Sequence, residues 1–234
     1  MSDDVESLIA QERLPEAAEI LATRGDHARA SLLFERACNW EKAAALALEA
    51  GDFSRALELA IVAKNESISN LALAEVGSDR AASLRCAERL ALRGDHAWAA
   101  RLYEAAEEKR QAALAWNRAG DAARAAEILE ENGEPAEAAR LLEAALRRSP
   151  DNWRSALALG GLLLRYGKAE GATRALQSIA HAAPERGPAL ALLVQAFEHM
   201  GLSGAARQAN EELTALGGVF ANATPTAARV ETKS

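Results

Sequence analysis

The chain lacks most of what chemistry or membranes would require. Aromatic residues make up only 4% of its 234 residues, so large rings cannot dominate the core. Its two cysteines, Cys38 and Cys86, stand too far apart for a metal-ligand pair or a disulfide framework. Both fall inside helical patterns and are expected to be small buried hydrophobes. No apolar run approaches the roughly 20 residues that span a bilayer; the longest, Ala156 to Leu164, is far shorter. The opening Met-Ser-Asp-Asp-Val-Glu has no apolar segment of the secretory kind. Cations are outnumbered, 27 Lys and Arg against 34 Asp and Glu, for a net charge of −7. That balance argues against nucleic acid as the main partner, because neutralising phosphates needs a cationic face. The expectation is a cytoplasmic protein with neither a membrane nor a nucleic acid as partner.

Catalytic patterns are missing as well. The sequence contains no HExxH, CxxC, GxSxG or P-loop, and Gly160-Gly161 lies within a helical run rather than between a strand and a helix. Of four histidines, His27 and His96 follow the same Gly-Asp pair in two copies of a repeat. Repetition explains them, and their side chains are expected to face solvent. No catalytic residue, metal ligand or cofactor site is expected.

What the chain does have is alanine, the best helix former, arranged periodically. From Glu12 onward it divides into thirteen-residue units starting at 12, 25, 38, 51, 64 and 77, then, after a four-residue insertion, at 94, 107, 120 and 133. The first residue is often glycine (Gly25, Gly51, Gly77, Gly94, Gly120, Gly133), suited to ending a helix in a left-handed conformation. The second is usually a good N-cap: Asp26, Asn39, Asp52, Asn65, Ser78, Asp95 or Asp121. The sixth is alanine except at Ser69, and positions 6, 9, 10 and 13 form one helix face. The first 118 residues therefore read as helices of about three turns joined by tight turns and paired into hairpins of about 26 residues. Helices this short are marginal in isolation, so their stability must come from neighbours. Residues 1 to 11 form a short amphipathic piece, with Val5, Leu8 and Ile9 on one side, placed to cap the array.

Over the C-terminal 100 residues the stride changes. Gly133, Gly167 and Gly201 stand 34 residues apart, as do Ala138, Ala172 and Ala206, and Pro150 and Pro184 keep the same interval. A 34-residue period with small residues at fixed offsets marks a helix–turn–helix repeat. This stretch resembles tetratricopeptide repeats. From Trp153 to Arg186 the family pattern falls on Leu159-Gly160, Leu163, Gly167, Ala172 and a closing Pro184, with looser copies starting at Ala119 and Gly187. The expected fold class is an all-α, right-handed solenoid of stacked hairpins. Its short hairpins occupy 1-118 and its tetratricopeptide-like repeats 119-217, continuous with the first segment. The tail 218-234 is expected to be a disordered end or a linker to further sequence.

The resemblance implies that the first helix of each repeat lines a concave face, with Glu127, Gly161, Arg165, Gln195 and His199 as lining residues. The family's carboxylate-gripping lysines and asparagines are replaced here by Ala123, Leu157, Gly161, Ala191 and Gln195, so a groove of small and apolar residues for a helix or extended peptide is expected instead. Two further features are candidates for partner binding. Arg85, Arg89 and Arg93 lie at i, i+4 and i+8 in the unit that breaks register, where like charges repel by a few tenths of a kcal/mol per pair. Trp98 lies off the apolar stripe, as does Trp40, whereas Tyr103 and Trp116 fall on it. The functional expectation is a non-catalytic scaffold for a protein or peptide partner. The alternative is a regulatory module of a larger signalling protein such as a kinase. Homo-oligomerisation through the final helix, Ala205 to Leu216, is left open. The alanine- and arginine-rich composition points to a bacterial source.

Overall fold

The computed structural model describes residues 2–222, with side chains over 4–217. Fifteen helices occupy the described residues: α1 (Ser2–Ala10), α2 (Leu14–Thr23), α3 (His27–Arg36), α4 (Trp40–Glu49), α5 (Phe53–Ala63), α6 (Glu66–Gly77), α7 (Arg80–Arg93), α8 (His96–Ala105), α9 (Lys109–Arg118), α10 (Ala122–Glu131), α11 (Pro135–Arg148), α12 (Trp153–Arg165), α13 (Ala169–Gln177), α14 (Arg186–His199) and α15 (Ser203–Asn222). No strand occurs among the described residues, and the fold is an all-α repeat. It divides into two compact units, Met1–Gly120 and Asp121–Ser234.

The turns explain the thirteen-residue period. Except at Gly77, each unit's first residue is left-handed whether or not it is glycine: φ is 59° at Glu12, 79° at Gly25, 56° at Cys38, 77° at Gly51 and 56° at Lys64. The residue after it then serves two helices. The Asn39 N–H bonds back to the Phe34 carbonyl at 2.8 Å, closing α3, while its side chain accepts from the Lys42 N–H and opens α4. Asp26, Asp52 and Asn65 repeat this arrangement, their N–H groups reaching Leu21, Ala47 and Ala60. A helix end and a helix start are thus satisfied by one residue, which keeps the connection short. Cys38 sits at such a left-handed turn and is exposed, contrary to the expectation of burial; only Cys86 is buried.

Around Gly77 the pattern departs from the thirteen-residue reading. Gly77 is the last residue of α6 and lacks a positive φ; a Cβ there would come within 3.4 Å of the Ala105 Cβ, so it serves a close helix approach. The cap of α7 is Asp79, not Ser78, and it accepts from the N–H groups of Ala81 and Ala82. With Asp79 in the second, capping position, positions 6, 9, 10 and 13 become Ser83, Cys86, Ala87 and Leu90, all fully buried. The extra four residues are therefore split, one before α7 and three within its longer span. Ala82, expected in the core, is only half-buried as a result.

In the first unit, each helix packs on its sequence neighbour, and α4, α6 and α8 also touch in series. The sixth-position alanines Ala17, Ala30, Ala43, Ala56, Ala99 and Ala112 are fully buried, where small side chains allow close backbone approach. Val5 of α1 is buried at one end, with Leu8 and Ile9 packed beside it as the amphipathic pattern requires. Trp40, Trp98 and Tyr103 pack half-buried against the same core.

In the second unit, α10, α12 and α14 lie alongside one another, each paired with the helix that follows it. Gly160 sets the α12–α13 approach: a Cβ there would stand 2.4 Å from Leu176 Cγ, inside a fully buried side chain. Pro150 follows directly on the end of α11 at Ser149. Pro184 does not close a helix, because α13 already ends at Gln177; it precedes α14 instead. That loop is held by Arg186, whose guanidinium donates to both oxygens of Glu212 at 2.9 and 3.0 Å and to the Ile179 carbonyl at 3.3 Å. Helix α15 runs to Asn222, past the expected start of the tail, and residues 223–234 of that tail lie outside the described residues.

Candidate functional site

The second unit contains a cleft of about 320 Å³ along the row of first helices. Its floor comprises Ala123 and Ala126 of α10, Leu142 of α11, Leu157, Ala158, Gly161 and Leu162 of α12, and Leu192 of α14. Small residues keep it open. A Cβ on Gly161 would meet only the Arg165 Nη1 at 3.4 Å and Leu192 Cδ1 at 3.7 Å, so this glycine faces space rather than a packed neighbour.

Charge is confined to the rim and is paired. Arg165 donates from Nε and Nη2 to the two carboxylate oxygens of Glu130, at 2.8 and 2.6 Å. That hydrogen bond pushes the guanidinium further above its ordinary value, outweighing the burial that would lower it. Arg154 reaches Asp121 at 3.3 Å, and Arg124 reaches Glu127 at 3.1 Å. In the first two pairs the arginine is outermost: Arg165 is 58% exposed over Glu130 at 21%, and Arg154 68% over Asp121 at 25%.

Of the lining residues expected from sequence, the structure brings Glu127, Gly161 and Arg165 together in this cleft. Gln195 is exposed on α14 and does not line it. His199, in the last turn of α14, lines a separate and more open depression with Glu143, Lys168, Glu170 and Arg174. Both residues carry the family offset, but at this end of α14 the offset no longer projects onto the cleft floor. Among the residues not anticipated are Glu130, Arg154, Ala158 and Leu192. Two of them had a signal: Arg154 and Ala158 join Leu157, Gly161 and Arg165 in i, i+3, i+4, i+7, i+11 spacing along one face of α12.

The arginine stripe lies in the first unit. Arg89 donates to Glu58 at 2.7 Å, and Arg93 approaches Glu58 at 3.7 Å and Asp95 at 3.3 Å. One carboxylate of α5 therefore bridges two arginines of α7 and relieves the like-charge repulsion. Arg85 is exposed and makes no ion pair among the described residues. Trp98 is half-buried, with the Arg101 guanidinium stacked 4.7 Å from its ring centroid. His27 is half-buried, its Nδ1 3.1 Å from Glu49, and the His96 Nδ1 is buried, so neither ring simply faces solvent. Among the described residues no three His, Cys, Asp or Glu side chains gather as a metal site would require, and no helix is long and apolar enough to cross a membrane.

Residues 129–197 match the model of the tetratricopeptide repeat family. Solved structures with a similar arrangement include BtubC (BKLC) from P. vanneervenii, 20% identical, covering 98% of this chain and 97% of that one with a TM-score of 0.44. YrrB, described as a TPR protein with an unusual peptide-binding site, is 12% identical, covering 94% and 97% with a TM-score of 0.41. Pseudomonas aeruginosa pilF is 12% identical, covering 88% and 91% with a TM-score of 0.40. No curated protein sequence matches the chain.

Proposed function

We propose that this chain, an all-α protein of tetratricopeptide-like repeats, is a non-catalytic scaffold that receives an apolar segment of a partner protein in the cleft along α10, α12 and α14. The observation that carries this reading is the cleft itself. Its floor of alanine, glycine and leucine is left open, while every charged residue on its rim is already paired within the unit. Such a surface gains by burying apolar area and has no unpaired charge to desolvate. Its volume lies within the range of small binding sites. A peptide occupant would contact Glu127, Gly161 and Arg165 together.

The test is selection of peptides from a random displayed library on the full chain, with counter-screening on Gly161→Phe. The phenyl ring would fill the floor without entering the α12–α13 contact made by Gly160. Peptides bound by the parent chain and lost from the variant, with unchanged helical circular dichroism, support the reading. Peptides retained equally by both chains contradict it.

A further inference from the structure

Resting on that reading, we infer that the occupant of the cleft is an amphipathic helix of a partner protein carrying one carboxylate at each end of a three-turn apolar stripe. Three observations lead there. The first is the shape of α12's exposed row. Arg154 and Arg165 stand eleven residues apart, about 16 Å along a helix axis, with only the uncharged Leu157, Ala158, Gly161 and Leu162 between them on the cleft side. The second is the donor inventory. A guanidinium has five N–H donors; Arg165 gives Glu130 one from Nε and one from Nη2. Its Nη1 has no hydrogen-bond partner among the described residues and lies 3.4 Å from where a Gly161 Cβ would stand, over the floor. Arg154 uses a single Nη1 contact and is the more exposed of the two. The carboxylates paired with these two arginines are shielded, so the outermost group of each pair is a donor of positive charge; Glu127, 56% exposed and paired with Arg124, stands beside them on the rim.

The third observation is what the floor lacks. Alanine, leucine and glycine on helices present no free backbone or side-chain hydrogen-bonding groups. An extended segment laid there would lose water from its own N–H and C=O groups without replacement. A helix satisfies its backbone internally and can set large apolar side chains against the small ones of the floor. Charge-assisted hydrogen bonds from Arg154 and Arg165 then fix its register.

The probe is a synthetic sixteen-residue helical peptide with leucines at i, i+3, i+4 and i+7 and one glutamate on each side, eleven residues apart. Two sister peptides carry glutamine or lysine at the flanks. Binding to the full chain is followed by fluorescence anisotropy. The expected order is Glu, then Gln, then Lys, with about tenfold or more between the extremes at low salt. Glu130→Gln, which removes the negative charge under Arg165 and frees one of its two bonded donors, tightens the Glu peptide, an outcome that general damage would not produce. Arg154→Gln combined with Arg165→Gln levels the three peptides. If all three bind alike and are all lost from Gly161→Phe, the carboxylate preference is overturned while the cleft reading stands. If none binds, or if binding survives Gly161→Phe, both are overturned.

Discussion

Arg165 and Glu130 form a two-point contact, Nε to one carboxylate oxygen at 2.8 Å and Nη2 to the other at 2.6 Å, between residues 35 apart in sequence. That separation is the repeat stride plus one, so the pair ties α12 to α10. Its geometry is good, but Arg165 is more than half exposed, and exposed pairs contribute little. Arg165→Gln is expected to lower stability by no more than about 1 kcal/mol, measured by urea denaturation. A loss several times larger would mean that the pair holds the repeats together rather than shaping the rim.

The adjacent glycines of α12 should respond in opposite directions. Gly160→Ala places a Cβ 2.4 Å from Leu176 Cγ, and Leu176 is fully buried with little room to yield. Overpacking of this kind costs about 1–3 kcal/mol. Gly161→Ala meets only ordinary contacts and gains up to about 1 kcal/mol in helix propensity. Thermal midpoints of the two variants should fall on either side of the parent.

The left-handed turns offer a second stability test. Lys64 at φ 56° and Glu107 at φ 60° adopt a backbone that Gly51 and Gly94 adopt without a side chain. Non-glycine residues there carry a penalty of about 1–2 kcal/mol. Lys64→Gly and Glu107→Gly should each raise the thermal midpoint, while Gly51→Ala should lower it. Identical effects at all three positions would refute the turn argument.

Acid should weaken the second unit through Glu212. Burial alone would raise this carboxyl, but hydrogen bonds and charge from Arg186, joined by His181, hold it below its ordinary value. A carboxylate lowered by folding contributes stability above its unfolded value and loses it as pH falls through the folded one. Urea midpoints taken at neutral and acidic pH should therefore drop more for the parent chain than for Glu212→Gln. Equal drops would show that the contact with Arg186 adds no acid-sensitive stability.

Much of the fold could be read from the sequence because it is local. The Asn39 and Asp52 caps and the sixth-position alanines depend on residues within one turn, so periodicity alone locates them. The departures came where tertiary contact replaced local preference: Gly77 serves the Ala105 approach rather than a turn, and the cap of α7 moves to Asp79. The cleft was legible in half. Family offsets placed Glu127, Gly161 and Arg165, and the face spacing of α12 would have added Arg154, while Glu130 enters through a pairing between helices that no offset within a repeat records. For Gln195 and His199 the offset was kept but the environment was not, since their positions on α14 open onto other surfaces.

The most direct measurement is a methyl chemical-shift titration of the full chain with a library-selected peptide, following the leucines. The account predicts shifts at Leu157 and Leu192, which line the cleft, and none at Leu92, which is 89% exposed in the first unit. Shifts at Leu92 or Leu71 with Leu157 and Leu192 unmoved would contradict it and place the partner on the first unit.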